Sequence, residues 1–257
     1  MFAMKDFYNQ VMGAIESKVD MIVTGAGFSR DIFKIGKKHN TPIVMIVSTP
    51  GMAKLAEKLG ASAIIAEAKE AGGHLGTDQP LRKIFPAIRD AVKNIPLIAA
   101  GGIINGFEMA EMMDEYGADG VQVASRFVLS EECPVTDEFK QAYLNAKKED
   151  IVLTSSPVGL PGRAINNPFV QALNAGKSIA TKKCPFACLK HCDHHYCINE
   201  RLQNASRDGK IDEGLIFSGE NTYKMKEILS VSEIFKLFQE QAESVYKEGK
   251  GFCPAAI

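Results

Sequence analysis

The 257-residue chain has no excess of either charge: 30 Lys and Arg face 31 Asp and Glu, a net charge of −1. Neutralising phosphates needs Lys and Arg clustered on one face, so the composition gives no reason to expect a nucleic-acid partner. Long apolar runs are missing too. The longest, such as residues 43–47 and 95–100, fall far short of the roughly 20 residues of a membrane-spanning helix. The opening MFAMKDFYNQ sets Lys5 and Asp6 where a signal peptide would carry its apolar stretch, so the chain reads as cytoplasmic, with no membrane partner. Its 22 glycines are far fewer than a collagen-like repeat requires, and a hydrophobic content of 46% is too high for a disordered chain. This length buries a sizeable core, and it fits one (β/α)8 barrel of about 250 residues or two smaller domains.

What is present is a repeated unit between Val19 and Phe127: a short β-branched run, a Gly- or Pro-containing turn, then an amphipathic helix. Candidate strands cover 20–24, 43–47, 63–66, 97–100 and 120–124, and their apolar character throughout suits a parallel sheet covered on both faces. Strand starts at 20, 43, 63, 97 and 120 leave intervals of 23, 20, 34 and 23 residues. The long interval contains EAKEAGGHLGTDQP (67–80), directly after a strand's C-terminal end, where α/β folds place their chemistry. Beyond Phe127 the pattern changes. Residues 137–147 can be helical, 155–168 form a run of turn signals, 184–197 concentrate Cys and His, and an amphipathic helix is predicted over about 231–247. Residues 131–257 therefore read as a mostly helical appendage outside the βα series.

Two constellations carry chemistry. In IPLIAAGGI and GVQVASRF, successive strands end in Gly101-Gly102 and Ala124-Ser125, each opening into a helix whose free N–H groups can bind an anion. Glycine lets backbone approach a phosphate and Ser125 adds a hydroxyl donor, as in the phosphate site that barrels build after strands 7 and 8. A tight turn alone would also use the two glycines. In Glu70-Ala71-Gly72-Gly73-His74-Leu75-Gly76, three glycines around one histidine would let the loop lie against a flat ligand while the imidazole projects into the site, with a pKa suited to proton transfer near neutrality. The bland alternative is a surface histidine.

VDMIVTGAG, GASAIIAEAKEAGGHLG, IPLIAAGGI and GVQVASRF together resemble the FMN-dependent nitronate monooxygenase (2-nitropropane dioxygenase) family, which also contains flavin-dependent enoyl-acyl-carrier-protein reductases. SPVGLPGRAI (156–165) resembles a further segment of that family, so the resemblance covers roughly residues 10–170. It implies FMN held in a TIM barrel, its phosphate on Gly101, Gly102 and the turn of Gln122, Val123, Ala124 and Ser125. Glu67, Gly72 and Gly73 would lie beside the flavin, and His74 beside the reacting carbon. Gly25-Ala26-Gly27 would form a wall of the flavin pocket. Arg126, by its position alone, could neutralise phosphate, cap a helix or pair with a carboxylate.

The chain departs from the family pattern in three respects. Ala124-Ser125 replaces the common Gly-Thr, Glu67 stands where monooxygenase members often carry Gln, and only strands 4 to 8 are accounted for if the phosphate loops follow strands 7 and 8. A Gly-Met turn and an Asn, contributed in the family by the first and third strands, are absent. The expectation is therefore an incomplete barrel over 1–130, with Met1 resembling an entry point inside a longer reading frame. Its open edges would be covered by the tail or by a second copy, a homo-oligomer.

The resemblance implies oxidation of a nitronate or nitroalkane with O2, His74 positioning the anion or taking the α-proton. The alternatives are reduction of an enoyl thioester with NAD(P)H, or a truncated barrel without independent activity. Cys184, Cys188, Cys192 and Cys197, with His191, His194 and His195, lack the paired CxxC of common zinc sites. The resemblance requires no metal there, and the cysteines read as small core residues, an iron–sulfur cluster being the alternative.

Overall fold

The structure, a computed structural model, describes residues 6–25, 29–177, 179, 186, 188–190, 192 and 195–247. Ala26 and Gly27, and Cys184, His191 and His194, lie outside them.

The first half runs α1 (Phe7–Glu16), β1 (Ile22–Thr24), α2 (Asp31–His39), β2 (Ile43–Val47), α3 (Pro50–Leu59), β3 (Ala63–Glu67), β4 (Gly73–His74), α4 (Leu81–Ala91), β5 (Leu97–Ala100), α5 (Gly106–Asp114), β6 (Gly120–Gln122) and α6 (Ser125–Val128). Local chemistry sets several of these limits. Thr49 accepts the Met52 N–H ahead of Pro50 to start α3, and Gly60, at φ 95°, ends it. Asn105 caps α5 by accepting the Glu108 N–H at 2.9 Å.

All five strands expected from sequence form one parallel sheet in the order β1-β2-β3-β5-β6. Alternate residues divide between its faces. Ile43, Met45, Val47, Ile64, Ala66, Leu97 and Ala99 pack under the helices against Phe33, Phe85, Ile88 and Met112, whereas Val44, Ala63, Ile65 and Ala100 form a separate cluster on the other face. β1 and β6 are the sheet's edges. At the first, Val23 is 41% exposed, far more than Val44, its 5% exposed partner in register.

The second half adds α7 (Asp137–Asn145), β7 (Ile151–Thr154), β8 (Gly162–Ile165), α8 (Pro168–Asn174), α9 (Ile198–Ser206) and α10 (Val231–Lys247). Residues 131–257 are thus not helices alone: β4, β8 and β7 form a three-stranded antiparallel sheet. β8 lies inside the run of turn signals at 155–168. Its Gly162, Arg163, Ala164 and Ile165 are all buried, flanked by partner strands that only the tertiary fold supplies. α10 carries Ile234 and Phe238 into the same core as the parallel sheet's helices and packs on α5. No helix among the described residues is long and apolar enough to cross a membrane.

Candidate functional site

The histidine loop leaves β3 at Glu67 and is held by backbone pairing. Gly73, at φ 79°, turns the chain into β4, which pairs with β8 through Gly73–Arg163 and His74–Gly162. The Leu75 N–H then donates to the Pro161 carbonyl at 2.9 Å. The imidazole of His74 is placed by two further contacts. Its Nε2 lies 2.7 Å from Ser156 Oγ, and its ring meets the Phe217 ring edge-on at 5.2 Å between centroids. Burial holds the His74 pKa below its ordinary value, so the imidazole is neutral at neutral pH. Arg163, 8% exposed, ties down the same loop, its guanidinium donating to the Lys69 carbonyl at 2.8 and 3.1 Å and lying 3.5 Å from the Glu220 carboxylate. The Glu70 carboxylate accepts the Leu81 N–H at 3.0 Å at the start of α4.

The two small-residue turns sit at the C-terminal ends of neighbouring strands. Gly101 and Gly102 have φ of 108° and 79°, where a side chain would be strained, and a Cβ on Gly102 would come within 3.0 Å of Glu70 Cβ. Ser125 opens the single-turn α6, and its Oγ accepts the Gly219 N–H at 3.0 Å, leaving its own proton to donate. Glu67, Ala100 and Gln122 are in register across β3, β5 and β6, which sets Glu67 in one row with the two turns. Burial raises the Glu67 carboxyl to about 7, so at neutral pH a large share of it is protonated and supplies the O–H that the expected amide at this position would supply as N–H. Gln122 and Ala124 are exposed, Val123 and Ser125 half-buried. Arg126 is committed elsewhere: it is buried and donates to the carbonyls of Leu129 and Glu227, so its helix-capping role prevails over neutralising phosphate.

One segment absent from the sequence reading, residues 217–221, joins these parts. Phe217 lies against His74, the Gly219 N–H reaches Ser125, the Glu220 N–H donates to the Glu70 carbonyl at 2.9 Å, and Asn221 Nδ2 donates to the Gly102 carbonyl at 2.5 Å. Tyr143 anchors it from below through its hydroxyl to the Phe217 carbonyl. Gly72 is required for the crossing, because a Cβ there would lie 2.7 Å from the Ser218 carbonyl carbon and 2.8 Å from the Gly219 nitrogen. The available sequence signal was the apolar run LIF (215–217) ending in the polar, glycine-containing SGEN (218–221), as the apolar run 97–100 ends in Gly101-Gly102. The hydroxyls of Ser218 and Thr222, 1% and 0% exposed, have no hydrogen-bond partner among the described residues, and both are donors suited to an acceptor-rich ligand.

The Cys/His segment behaves differently. Cys188 and Cys192 are half-buried and Cys197 is buried, Cys188 Sγ accepting from Asn199 Nδ2 at 3.3 Å. Among the described residues no group of three or more His, Cys, Asp or Glu side chains comes together as a metal site. Gly25 abuts Ile46, where a Cβ would lie 3.1 Å from Cδ1.

Known proteins share the family and the fold of this chain. The family described as nitronate monooxygenase matches residues 1–240. A probable nitronate monooxygenase of Staphylococcus aureus is 33% identical over 155 residues, 57% of this chain and 43% of the relative. A (3aS,4S,5R,7aS)-5-hydroxy-7a-methyl-1-oxo-octahydro-1H-indene-4-carboxyl-CoA dehydrogenase of Rhodococcus jostii is 36% identical over 133 residues, 51% of this chain and 37% of the relative. These curated relatives are thus matched over less than half their length. FabK from Thermotoga maritima superposes with a TM-score of 0.84 at 27% identity, over 97% of this chain and 76% of that one. A nitroalkane oxidase from Streptomyces ansochromogenes shares the fold, with a TM-score of 0.75. The α/β architecture read from the sequence, with later strands of a TIM-type barrel, is therefore shared with these proteins, and the chain belongs to the nitronate monooxygenase family.

Proposed function

We propose that this chain binds FMN and acts as an oxidoreductase that oxidises nitronates with O2. The observation that carries the reading is the convergence on residues 217–221. This stretch joins a neutral, strand-anchored histidine to two glycine- and serine-bearing turns at the C-terminal ends of adjacent parallel strands. The residues present suit the cofactor: Gly101, Gly102 and the Gln122–Ser125 turn would hold the phosphate, assisted by the free Ser125 proton and the unpartnered hydroxyls nearby. Glu67, Gly72 and Gly73 would border the ring system. FMN, when bound, supplies the electron acceptor and the reaction with O2.

The chain's own residues bind and orient. His74 presents a ring nitrogen to the substrate's oxygen while β4 and Phe217 fix the plane of the ring. Phe217 covers part of the imidazole, and the burial of the ring strengthens a hydrogen bond to an anion. The domain limits that accompany this reading are 1–130 for the cofactor-binding part and 131–257 for the remainder, which contributes Ser156, Phe217 and Asn221. The test is oxygen uptake by FMN-loaded protein with propyl-2-nitronate. Turnover that His74→Gln abolishes is expected. NAD(P)H oxidation driven by a crotonyl thioester, with no oxygen uptake on nitronate, would transfer the site to enoyl reduction.

A further inference from the structure

We infer that Ser156 is a positioning residue that holds His74 in the Nδ1–H tautomer and thereby makes it a hydrogen-bond donor to anionic substrates. The serine sits in the connection between β7 and β8, and that connection is itself anchored. The buried Tyr196 hydroxyl donates to the Ser155 carbonyl at 3.0 Å, and the Gly159 N–H closes a turn on the Ser156 carbonyl at 3.0 Å. Ser156 Oγ therefore has a fixed position 2.7 Å from His74 Nε2.

Either group could in principle be the donor across that contact, and the surroundings of the hydroxyl favour the serine. The Val158 N–H donates to Ser156 Oγ at 3.3 Å, occupying one of its two lone pairs. Among the described residues no acceptor other than His74 Nε2 lies within reach of the Ser156 proton. With this arrangement the hydroxyl is assigned as the donor and Nε2 as the acceptor, which places the single proton of the neutral ring on Nδ1. Nδ1 has no hydrogen-bond partner among the described residues. It is the ring atom left to meet a ligand, and it meets it as a donor.

This distinction selects between substrates. A nitronate oxygen is a negatively charged acceptor and pairs with Nδ1–H. A neutral nitroalkane would need an unprotonated nitrogen to take its α-proton, and the unprotonated nitrogen is the one capped by Ser156. The assignment of an anionic substrate rests on the nitronate reading above; the tautomer does not.

Long-range proton–nitrogen NMR of the full chain labelled with ¹⁵N-histidine reads the tautomer without flavin or substrate, His74 being assigned by its loss in His74→Gln. A pyrrole-type Nδ1 and a pyridine-type Nε2 are expected. Ser156→Ala is expected to shift the proton toward Nε2, and Ser156→Thr, which keeps the hydroxyl, to restore the parent spectrum. A pyridine-type Nδ1 in the parent, or a Ser156→Ala spectrum unchanged from it, would overturn the proposal; should Ser156→Ala not fold, the parent spectrum alone decides. With propyl-2-nitronate, Ser156→Ala is expected to raise KM about tenfold with a smaller change in kcat, the size of one lost orienting hydrogen bond. An Nδ1–H spectrum in a protein that does not turn over nitronate would remove the function proposed above and leave the role of Ser156 standing.

Discussion

Replacing Gly72 by alanine tests whether residues 217–221 and the histidine loop are built as one unit. The glycine has no positive φ, so alanine brings no backbone strain, and the whole effect is steric. The new Cβ would lie 2.7 Å from the Ser218 carbonyl carbon, against about 3.4 Å for an ordinary contact, so the two backbones must part by about 0.7 Å. Were that movement taken up at the crossing, the Glu220 N–H to Glu70 bond, now 2.9 Å, would lengthen to about 3.6 Å, outside hydrogen-bond range. The Gly219 N–H to Ser125 bond, now 3.0 Å, would lengthen to about 3.7 Å. Two bonds at a net 0.5–1.5 kcal/mol each give roughly 1–3 kcal/mol, the same range as the cost of overpacking if the backbone does not move. The expected loss is about 2 kcal/mol, read as a lower urea midpoint at constant slope, together with weaker FMN binding because Ser125 is displaced. Gly13→Ala, on an exposed position of α1 with nothing within 4 Å of its Cβ, is the control and is expected to stabilise by about 0.5–1 kcal/mol. A Gly72→Ala protein with the parent's urea midpoint and FMN affinity would mean that the two segments are not built as one unit.

Two further predictions follow from burial. Glu67 has its folded pKa raised by desolvation from the ordinary 4.5 to about 7, so its neutral form is the one the fold favours; the stability it contributes is complete below pH 4.5 and is lost as pH rises through about 7. Glu67→Gln is expected to remove that part of the pH dependence, seen as a flatter plot of urea midpoint between about pH 5 and about pH 8; parallel plots for the two proteins would contradict it. Ile234 of α10 is fully buried in the core shared with the sheet's helices, so Ile234→Ala is expected to cost about 2–4 kcal/mol in chemical denaturation, whereas a surface-like loss of less than about 0.5 kcal/mol would mean that α10 does not pack there.

The parallel sheet was legible in the sequence because residues such as 43–47 and 63–66 are apolar on both faces and recur with helices at helical spacing, a pattern that few other arrangements satisfy. The antiparallel sheet was not. β4 is two residues long, Gly73–His74, and β8 begins at a glycine inside a run of turn-forming residues; neither has a periodicity of its own, and both exist because three segments distant in sequence pair. The same limit applies to the site. His74, Gly101, Gly102 and Ser125 could be found because each lies on a loop or turn that follows a strand of the parallel sheet, whereas Ser156, Phe217 and Asn221 owe their positions to contacts reaching 82 to 143 residues along the chain, from Asn221 to Gly102 at 119, from Phe217 to His74 at 143 and from Ser156 to His74 at 82. Arg126 shows the converse. Its place beside Ser125 invited a phosphate role, but its guanidinium is spent on backbone carbonyls of the chain itself.

The proposed function requires that these turns and this histidine loop bind flavin. Equilibrium titration of the purified 257-residue protein with FMN, followed by flavin fluorescence and by the visible absorption of the protein after gel filtration, tests it most directly. Saturable binding of one flavin per chain, weakened in Gly102→Ala and Ser125→Ala, is the predicted result; a protein that is folded by circular dichroism yet retains no flavin at any FMN concentration would contradict the claim.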